Sequence, residues 1–155
     1  MSGIIEDKLS GLGIDLPIAA APAANYVPYV ISGKQIFVAG QIPFWNGALK
    51  GIGKVGQDLS TEEATEIARI CGLNLIAQAK VACGGDLDRI IRVVKLGGFV
   101  NCIETFQDHP EVINGASNLM VDVFGEKGTH SRFAVGVNSL PRGVSVEIDG
   151  VFEIT

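Results

Sequence analysis

Two runs of alternating apolar and polar residues near the end of the chain constrain its fold more than any other feature. The runs cover residues 131–137 and 144–149, and a Leu-Pro-Arg-Gly segment at 140–143 separates them. Alternation with a period of two is typical of β-strands, and a Pro/Gly turn between two such runs predicts a β-hairpin. One face of the hairpin is expected to point into a core. Its side chains are Phe133, Val135, Val137, Val144, Val146 and Ile148.

The opposite face of the predicted hairpin combines a cation, small side chains and carboxylates. Arg132 is followed there by Ala134 and Gly136, and the return strand carries Glu147 and Asp149. A guanidinium can hold a carboxylate with two parallel hydrogen bonds, so a planar anionic ligand would fit beside it. By spacing alone, a solvated strand face with an ordinary Arg/acid pair is the more common explanation.

The rest of the chain contains strong helix and strand signals. Ser60-Thr61-Glu62-Glu63 is a capping box that predicts a helix to about residue 82, and Asp108 is expected to cap a second helix that reaches about residue 124. Residues 90–100 are nearly continuously apolar, as in a central strand, and Gly33-Lys34 predicts a tight turn between two earlier strands. The order of elements predicts an α+β domain with two helices on one face of a mixed sheet.

Composition limits the class of protein. A chain of 155 residues is expected to form a single domain over residues 1–155, with residues 1–21 as a lead-in extension. With 47% hydrophobic and 19% charged residues, it is expected to bury further surface in an oligomer. The net charge of −5 argues against a nucleic-acid partner, because such binding depends on Lys and Arg neutralising phosphates.

The cysteines and the hydropathy pattern indicate a cytoplasmic protein. Cys71, Cys83 and Cys102 are odd in number and form no CxxC pair, so neither a disulfide framework nor a zinc site is expected. The N-terminal residues have neither the basic region nor the apolar core of a secretory signal. No apolar run approaches the roughly 20 residues that span a membrane, so no membrane association is expected.

Three segments together resemble the RidA/YjgF family. They are the Arg132 strand with its Leu140-Pro141 turn and Val146-Glu147-Ile148 return, the strand that ends in Gly40-Gln41-Ile42-Pro43, and residues 54–60 leading into the capped helix. The resemblance covers roughly residues 22–155. It implies a chorismate-mutase-like fold, a homotrimer with clefts between subunits, and hydrolysis of small 2-imino acids to 2-keto acids and ammonia. Some family members carry older labels as endoribonucleases or translation inhibitors.

The resemblance also implies roles for five residues. Arg132 would bind the substrate carboxylate and Glu147 would orient the hydrolytic water. Tyr26 would line the pocket, Gly40 would let the backbone approach the ligand, and Asn118 would lie near the cleft. Besides the solvated Arg/acid pair already given for Arg132, each of the others has an ordinary alternative: a packed aromatic for Tyr26, a turn glycine for Gly40, a helix-surface amide for Asn118 and a solvated strand residue for Glu147. His130 would either line the same cleft or lie exposed in a turn.

Two departures from the family pattern leave the reaction open. Ala134 stands where these deaminases often have Cys, and Ala39 stands where they usually present a hydroxyl. The alternative functions are therefore non-catalytic binding or sensing of a small carboxylate metabolite and, less favoured, RNA cleavage or translation inhibition. No metal or organic cofactor is expected, because an imine is already electrophilic.

Overall fold

A mixed β-sheet with helices on one face forms the fold of residues 3–21 and 25–155, which the computed structural model describes. The helices are α1 (Ile4–Gly11), α2 (Thr61–Ala82) and α3 (His109–Phe124). The strands are β1 (Tyr29–Ser32), β2 (Gln35–Gln41), β3 (Phe44–Trp45), β4 (Ala48–Leu49), β5 (Ile90–Asn101), β6 (Ser131–Val137) and β7 (Val146–Ile154). In these two ranges no helix combines the length and the apolar character needed to cross a membrane.

The five main strands lie in the order β1-β2-β7-β5-β6, and β3 and β4 form a separate two-stranded hairpin. Only β5 and β6 are parallel; the other neighbouring pairs are antiparallel. The predicted α+β class, with α2 and α3 on one face of a mixed sheet, is therefore confirmed. The tight turn at Gly33-Lys34 is confirmed as well, since Ser32 pairs with Gln35 across it.

The capping box at the start of α2 forms as predicted. The Ser60 hydroxyl accepts a hydrogen bond from the Glu63 amide at 3.1 Å, and the Glu63 carboxylate accepts one from the Ser60 amide at 3.1 Å. The prediction that the Asp108 side chain caps α3 is wrong, because it makes no capping hydrogen bond. The Asp108 backbone has left the extended conformation that cap residues normally adopt, and Pro110 in the first turn favours the helix start instead.

The predicted C-terminal hairpin is wrong. β6 and β7 do not pair with each other, because β5 lies between them and bonds to both. Parallel pairing of β5 with β6 needs a crossover segment, and α3 provides it. Alternation identified both strands correctly, but it carries no information on which strand becomes the partner.

The faces assigned to β6 also need correction. In the pairing of β5 with β6, Arg132 lies beside Leu96 and Ala134 lies beside Gly98. Leu96 is fully buried and a Cβ at Gly98 would meet Ile113 of α3, so Arg132 and Ala134 lie on the face that the helices cover. Phe133 therefore lies on the opposite face, which carries Val135 and Val137 as well, and Val135 is 42% exposed. The β7 half of the prediction is confirmed, since Val144, Val146 and Ile148 are fully buried.

The contact between α2 and α3 gives a stability prediction. A Cβ at Gly115 would overlap the Thr65 carbonyl oxygen of α2, and backbone cannot move aside as a side-chain tip can. Although alanine is the better helix former by about 1 kcal/mol, Gly115→Ala should lower the free energy of unfolding by roughly 2 kcal/mol, the cost of overpacking. Urea denaturation measures it.

Gly11→Ala is the matched control, because no atom lies within 4 Å of a Cβ at that helix position. It should leave stability unchanged or raise it by up to about 1 kcal/mol. Equal effects of the two substitutions would contradict the close approach of α2 and α3.

Candidate functional site

Glu147 projects from β7 on the sheet face that points away from α2 and α3. Its strand neighbours Val146 and Ile148 are fully buried on the helix side, whereas Glu147 is partly buried on the other side. Burial raises the pKa of the Glu147 carboxyl above its ordinary value, and the negative charge of Asp149 raises it further. A carboxylate in this state is a better proton acceptor than an ordinary surface glutamate.

A β-bulge brings the backbone of β2 against this carboxylate. Val38 pairs with Gly150 and Gln41 pairs with Ile148, so two residues of β2 stand opposite one of β7. The extra residue falls at Ala39 and Gly40. A Cβ at Gly40 would lie 2.6 Å from the Glu147 Oε2 atom, so only glycine leaves the carboxylate in this position. Bulges of this kind are frequent beside active sites, where they redirect a side chain.

A cleft of about 670 Å³ opens in front of this pair. Three predicted site residues line it: Tyr26, Gly40 and Glu147. Apolar walls come from other segments of the chain, namely Pro28, Ile42, Phe44 and Pro141. The volume falls within the range typical of small-molecule sites, and an apolar lining with few polar groups is typical of them too.

Residues 18–21 form a further wall of the cleft. The Ile18 amide donates to the Asn46 side-chain oxygen at 2.8 Å, and Gln78 of α2 donates to the Ala20 carbonyl at 2.8 Å. Gln78 is only 2% exposed, so this hydrogen bond satisfies a buried amide. The sequence pattern predicted only a lead-in here. The signal that could have revealed the wall is a glutamine on the largely apolar buried face of α2, where Asn74 is also buried.

Arg132 lies at the other end of the sheet, on the edge strand β6. Its Nη1 donates to the Ser117 hydroxyl at 3.0 Å and its Nη2 donates to the Pro110 carbonyl at 3.3 Å, so α3 holds the guanidinium. His130 supports this arrangement. Its Nδ1 donates to the Gly128 carbonyl at 2.6 Å, and its Nε2 lies 2.9 Å from the Ser117 hydroxyl. His130 is thus a half-buried partner of Ser117 rather than a turn-exposed residue.

The five predicted residues therefore form two groups within one chain. Tyr26, Gly40 and Glu147 share the cleft, whereas Arg132 and the exposed Asn118 of α3 do not line it. The expectation that Arg132 and Glu147 share a sheet face is wrong, because β5 separates their strands and the two side chains leave opposite faces.

Within residues 3–21 and 25–155, one cationic residue lines the cleft of its own chain. It is Arg142, which the sequence pattern placed only in a turn. Among the described residues, no group of three or more His, Cys, Asp or Glu side chains is arranged to hold a metal ion.

Sequence and fold are both similar to those of known proteins. A family model described as "YjgF/chorismate mutase-like, putative endoribonuclease" matches residues 6–146. The chain is 47% identical over 154 residues to "Protein TCP17" of Trypanosoma cruzi, which covers 99% of this chain and 96% of that protein.

Two crystal structures have nearly the same fold. The protein Atu1372 of Agrobacterium tumefaciens, of unknown function, is 47% identical with a TM-score of 0.91, covering 98% of this chain and 94% of its own. A "putative endoribonuclease" from Shewanella oneidensis MR-1 is 36% identical with a TM-score of 0.94, and the match covers 98% of this chain and 100% of that one. Because the family model spans most of the chain, the resemblance inferred from the Arg132 strand and the Gly40 turn is confirmed, and the protein belongs to the YjgF/chorismate mutase-like family.

Proposed function

We propose that the protein hydrolyses small 2-imino acids to 2-keto acids and ammonia, in clefts between the subunits of a homotrimer. The observation that carries this proposal is the Glu147 carboxylate, whose pKa is raised and which faces a cleft beside a glycine bulge. A proton acceptor in a partly dry cleft is what the addition of water to a carbon–nitrogen double bond requires.

In the proposed reaction, water adds across the C=N bond. Its oxygen bonds to the imine carbon while Glu147 accepts a water proton, which passes to the nitrogen. The C–N bond then breaks as the hydroxyl proton moves to the leaving nitrogen, and a keto acid and ammonia result. The imine carbon is already electrophilic, so these steps need neither a metal nor an organic cofactor.

The substrate carboxylate is assigned to Arg132 of a neighbouring subunit. The guanidinium uses one N–H of Nη1 for Ser117 and one N–H of Nη2 for Pro110. A guanidinium has five donors, so each of these nitrogens keeps one N–H for a two-pronged bond to a carboxylate. Because β6 is an edge strand and Glu147 lies on the opposite sheet face, the proposal places the two residues together only across a subunit contact.

Exposed apolar side chains support an oligomer. Phe37 is 44% exposed and Val135 is 42% exposed, and both belong to the sheet face that α2 and α3 leave uncovered. Apolar residues on one open face of a sheet are stabilised when another subunit covers them. The homotrimer is part of the proposal for this reason.

The second candidate function is binding or sensing of a small carboxylate metabolite without chemistry. It is favoured by Ala134 and Ala39, which replace residues that the deaminases usually have. RNA cleavage, which the family description suggests, is favoured less because a net charge of −5 opposes binding of a polyphosphate backbone.

Substitutions of Glu147 and Arg132 should change the rate of hydrolysis and the affinity for a 2-keto acid separately. Glu147→Gln is nearly isosteric, so it should keep the affinity for a 2-keto acid and slow imine hydrolysis roughly 100-fold or more. Arg132→Lys keeps the charge but loses the planar fork, so binding should weaken by roughly 1.5–3 kcal/mol. Calorimetry with a 2-keto acid measures affinity, and ammonia release from an imine made in situ by an amino-acid oxidase measures the rate. A fully active Glu147→Gln protein would favour the binding or sensing function.

The raised pKa of Glu147 predicts the pH dependence of hydrolysis. Glu147 must be ionised to accept a proton, so kcat/KM should fall with decreasing pH and reach half its plateau above the ordinary glutamate pKa of about 4.3. Asp149→Asn removes one cause of the raised pKa, so the midpoint should move to lower pH. Pre-steady-state or initial-rate profiles of both proteins provide the test, and a midpoint that Asp149→Asn leaves in place would argue against Glu147 as the base.

A further inference from the structure

Arg142 lies in the same cleft as Glu147. It is the middle residue of the 3₁₀ turn Pro141–Gly143, and both Arg142 and Glu147 line the cleft. The turn closes through backbone hydrogen bonds, from the Gly143 amide to Leu140 and from the Val144 amide to Pro141. In residues 3–21 and 25–155, the Arg142 guanidinium has no hydrogen-bond or ion-pair partner.

The backbone of Arg142 adopts a conformation that an arginine side chain disfavours. Its φ is 57°, in the left-handed region where a Cβ is crowded and glycine is favoured. A strained residue at a cleft suggests that its side chain has a use there. A guanidinium whose donors are all available in the described part of the chain is suited to binding an anion.

The number of guanidinium groups, rather than the net charge of the cleft, indicates what kind of anion. Of the described residues that line the cleft, Arg142 and Glu147 are the charged ones. In the proposed reaction the carboxylate of the imino acid binds to Arg132 of a neighbouring subunit. Arg142 therefore takes no part in binding that carboxylate. Since Arg142 pairs with neither Glu147 nor any other described residue, a substrate with one carboxylate would leave the Arg142 guanidinium without a partner, whereas a substrate with two carboxylates would give each guanidinium one. One planar fork matches one carboxylate.

We propose that Arg142 binds a second, distal carboxylate, so that the preferred ligands of the cleft are 2-imino and 2-keto diacids. This inference rests on the proposed function for the position of the first carboxylate. The apolar walls at Ile42, Phe44 and Pro141 would then contact the methylene groups between the two ends.

Two five-carbon keto acids test the inference by calorimetry. The probes are 2-oxopentanedioate and 2-oxopentanoate, which differ in whether the chain ends in a carboxylate or a methyl group. The native protein should bind the diacid roughly 10-fold to 100-fold more tightly, the scale of one charge-assisted hydrogen bond. Arg142→Gln should abolish this preference and leave the affinity for 2-oxopentanoate unchanged.

Two further variants keep the result interpretable. Arg142→Gly removes the side chain and the strain together, so it should lose the same preference while its urea midpoint rises. Arg92→Gln removes an exposed guanidinium of β5 whose partner is Thr129, outside the cleft, and should keep the preference.

Several outcomes would overturn the inference. Equal affinities of the native protein for both acids, or a diacid preference that survives Arg142→Gln, would do so and would leave imine hydrolysis intact. An equal loss of affinity for both acids in the Arg142→Gln protein would also overturn it, because Arg142 would then bind the carboxylate that the two acids share.

A diacid preference that depends on Arg142, without ammonia release from any imine, would support the inference and reject hydrolysis. If the native protein binds neither acid, both the inference on Arg142 and the proposed function are rejected.

Discussion

The pairing of β5 on both of its edges is the constraint on which the arrangement of the site depends. β5 bonds in parallel to β6 and antiparallel to β7, so it separates the strand that carries Arg132 from the strand that carries Glu147. The registers then place the two side chains on opposite faces of the sheet. α3, the crossover between β5 and β6, packs beneath Arg132 and fixes its guanidinium through Ser117 and Pro110. A single chain therefore holds the proposed proton acceptor in one place and the proposed carboxylate anchor in another, and the proposed trimer is what would bring them together.

The position of the Glu147 carboxylate in the cleft depends on how β2 meets β7. The bulge at Ala39 and Gly40 interrupts the strand ladder where Glu147 projects, and the missing Cβ of Gly40 leaves room for the carboxylate. Partial burial and the neighbouring Asp149 then raise the pKa of Glu147. These effects act in the same direction, towards a carboxylate that accepts a proton more readily than a solvated one.

The sequence predicted local structure well and long-range pairing poorly. The capping box at Ser60, the Gly33-Lys34 turn and the apolar run of β5 each depend on neighbouring residues, and each was predicted correctly. The partner of β6 depends on α3 passing over the sheet, which no spacing in residues 131–149 encodes. A period of two also leaves open which set of alternate residues faces the core, and Arg132 lies in the set that faces the helices.

The cleft was only partly predictable for a similar reason. Tyr26, Gly40 and Glu147 share it as the family resemblance implied, although their roles remain proposals. The wall at residues 18–21 is held by hydrogen bonds to Asn46 and Gln78, which are far away in sequence. Arg142 is a cleft residue because the turn before β7 faces the same cleft as Glu147, and no local sequence pattern predicts this.

Subunit mixing tests the central claim, that Arg132 and Glu147 act together across a subunit contact. Arg132→Lys chains, in which binding is weakened, and Glu147→Gln chains, in which hydrolysis is slowed, would be unfolded in urea, mixed in equal amounts, refolded together and assayed at substrate concentrations below the native KM. In randomly mixed homotrimers, about a quarter of the clefts combine an intact Arg132 from one chain with an intact Glu147 from another, so about a quarter of the native ammonia-release rate should return. A mixture no more active than the two variants refolded separately would contradict the account, because it would mean that the two residues do not meet between chains.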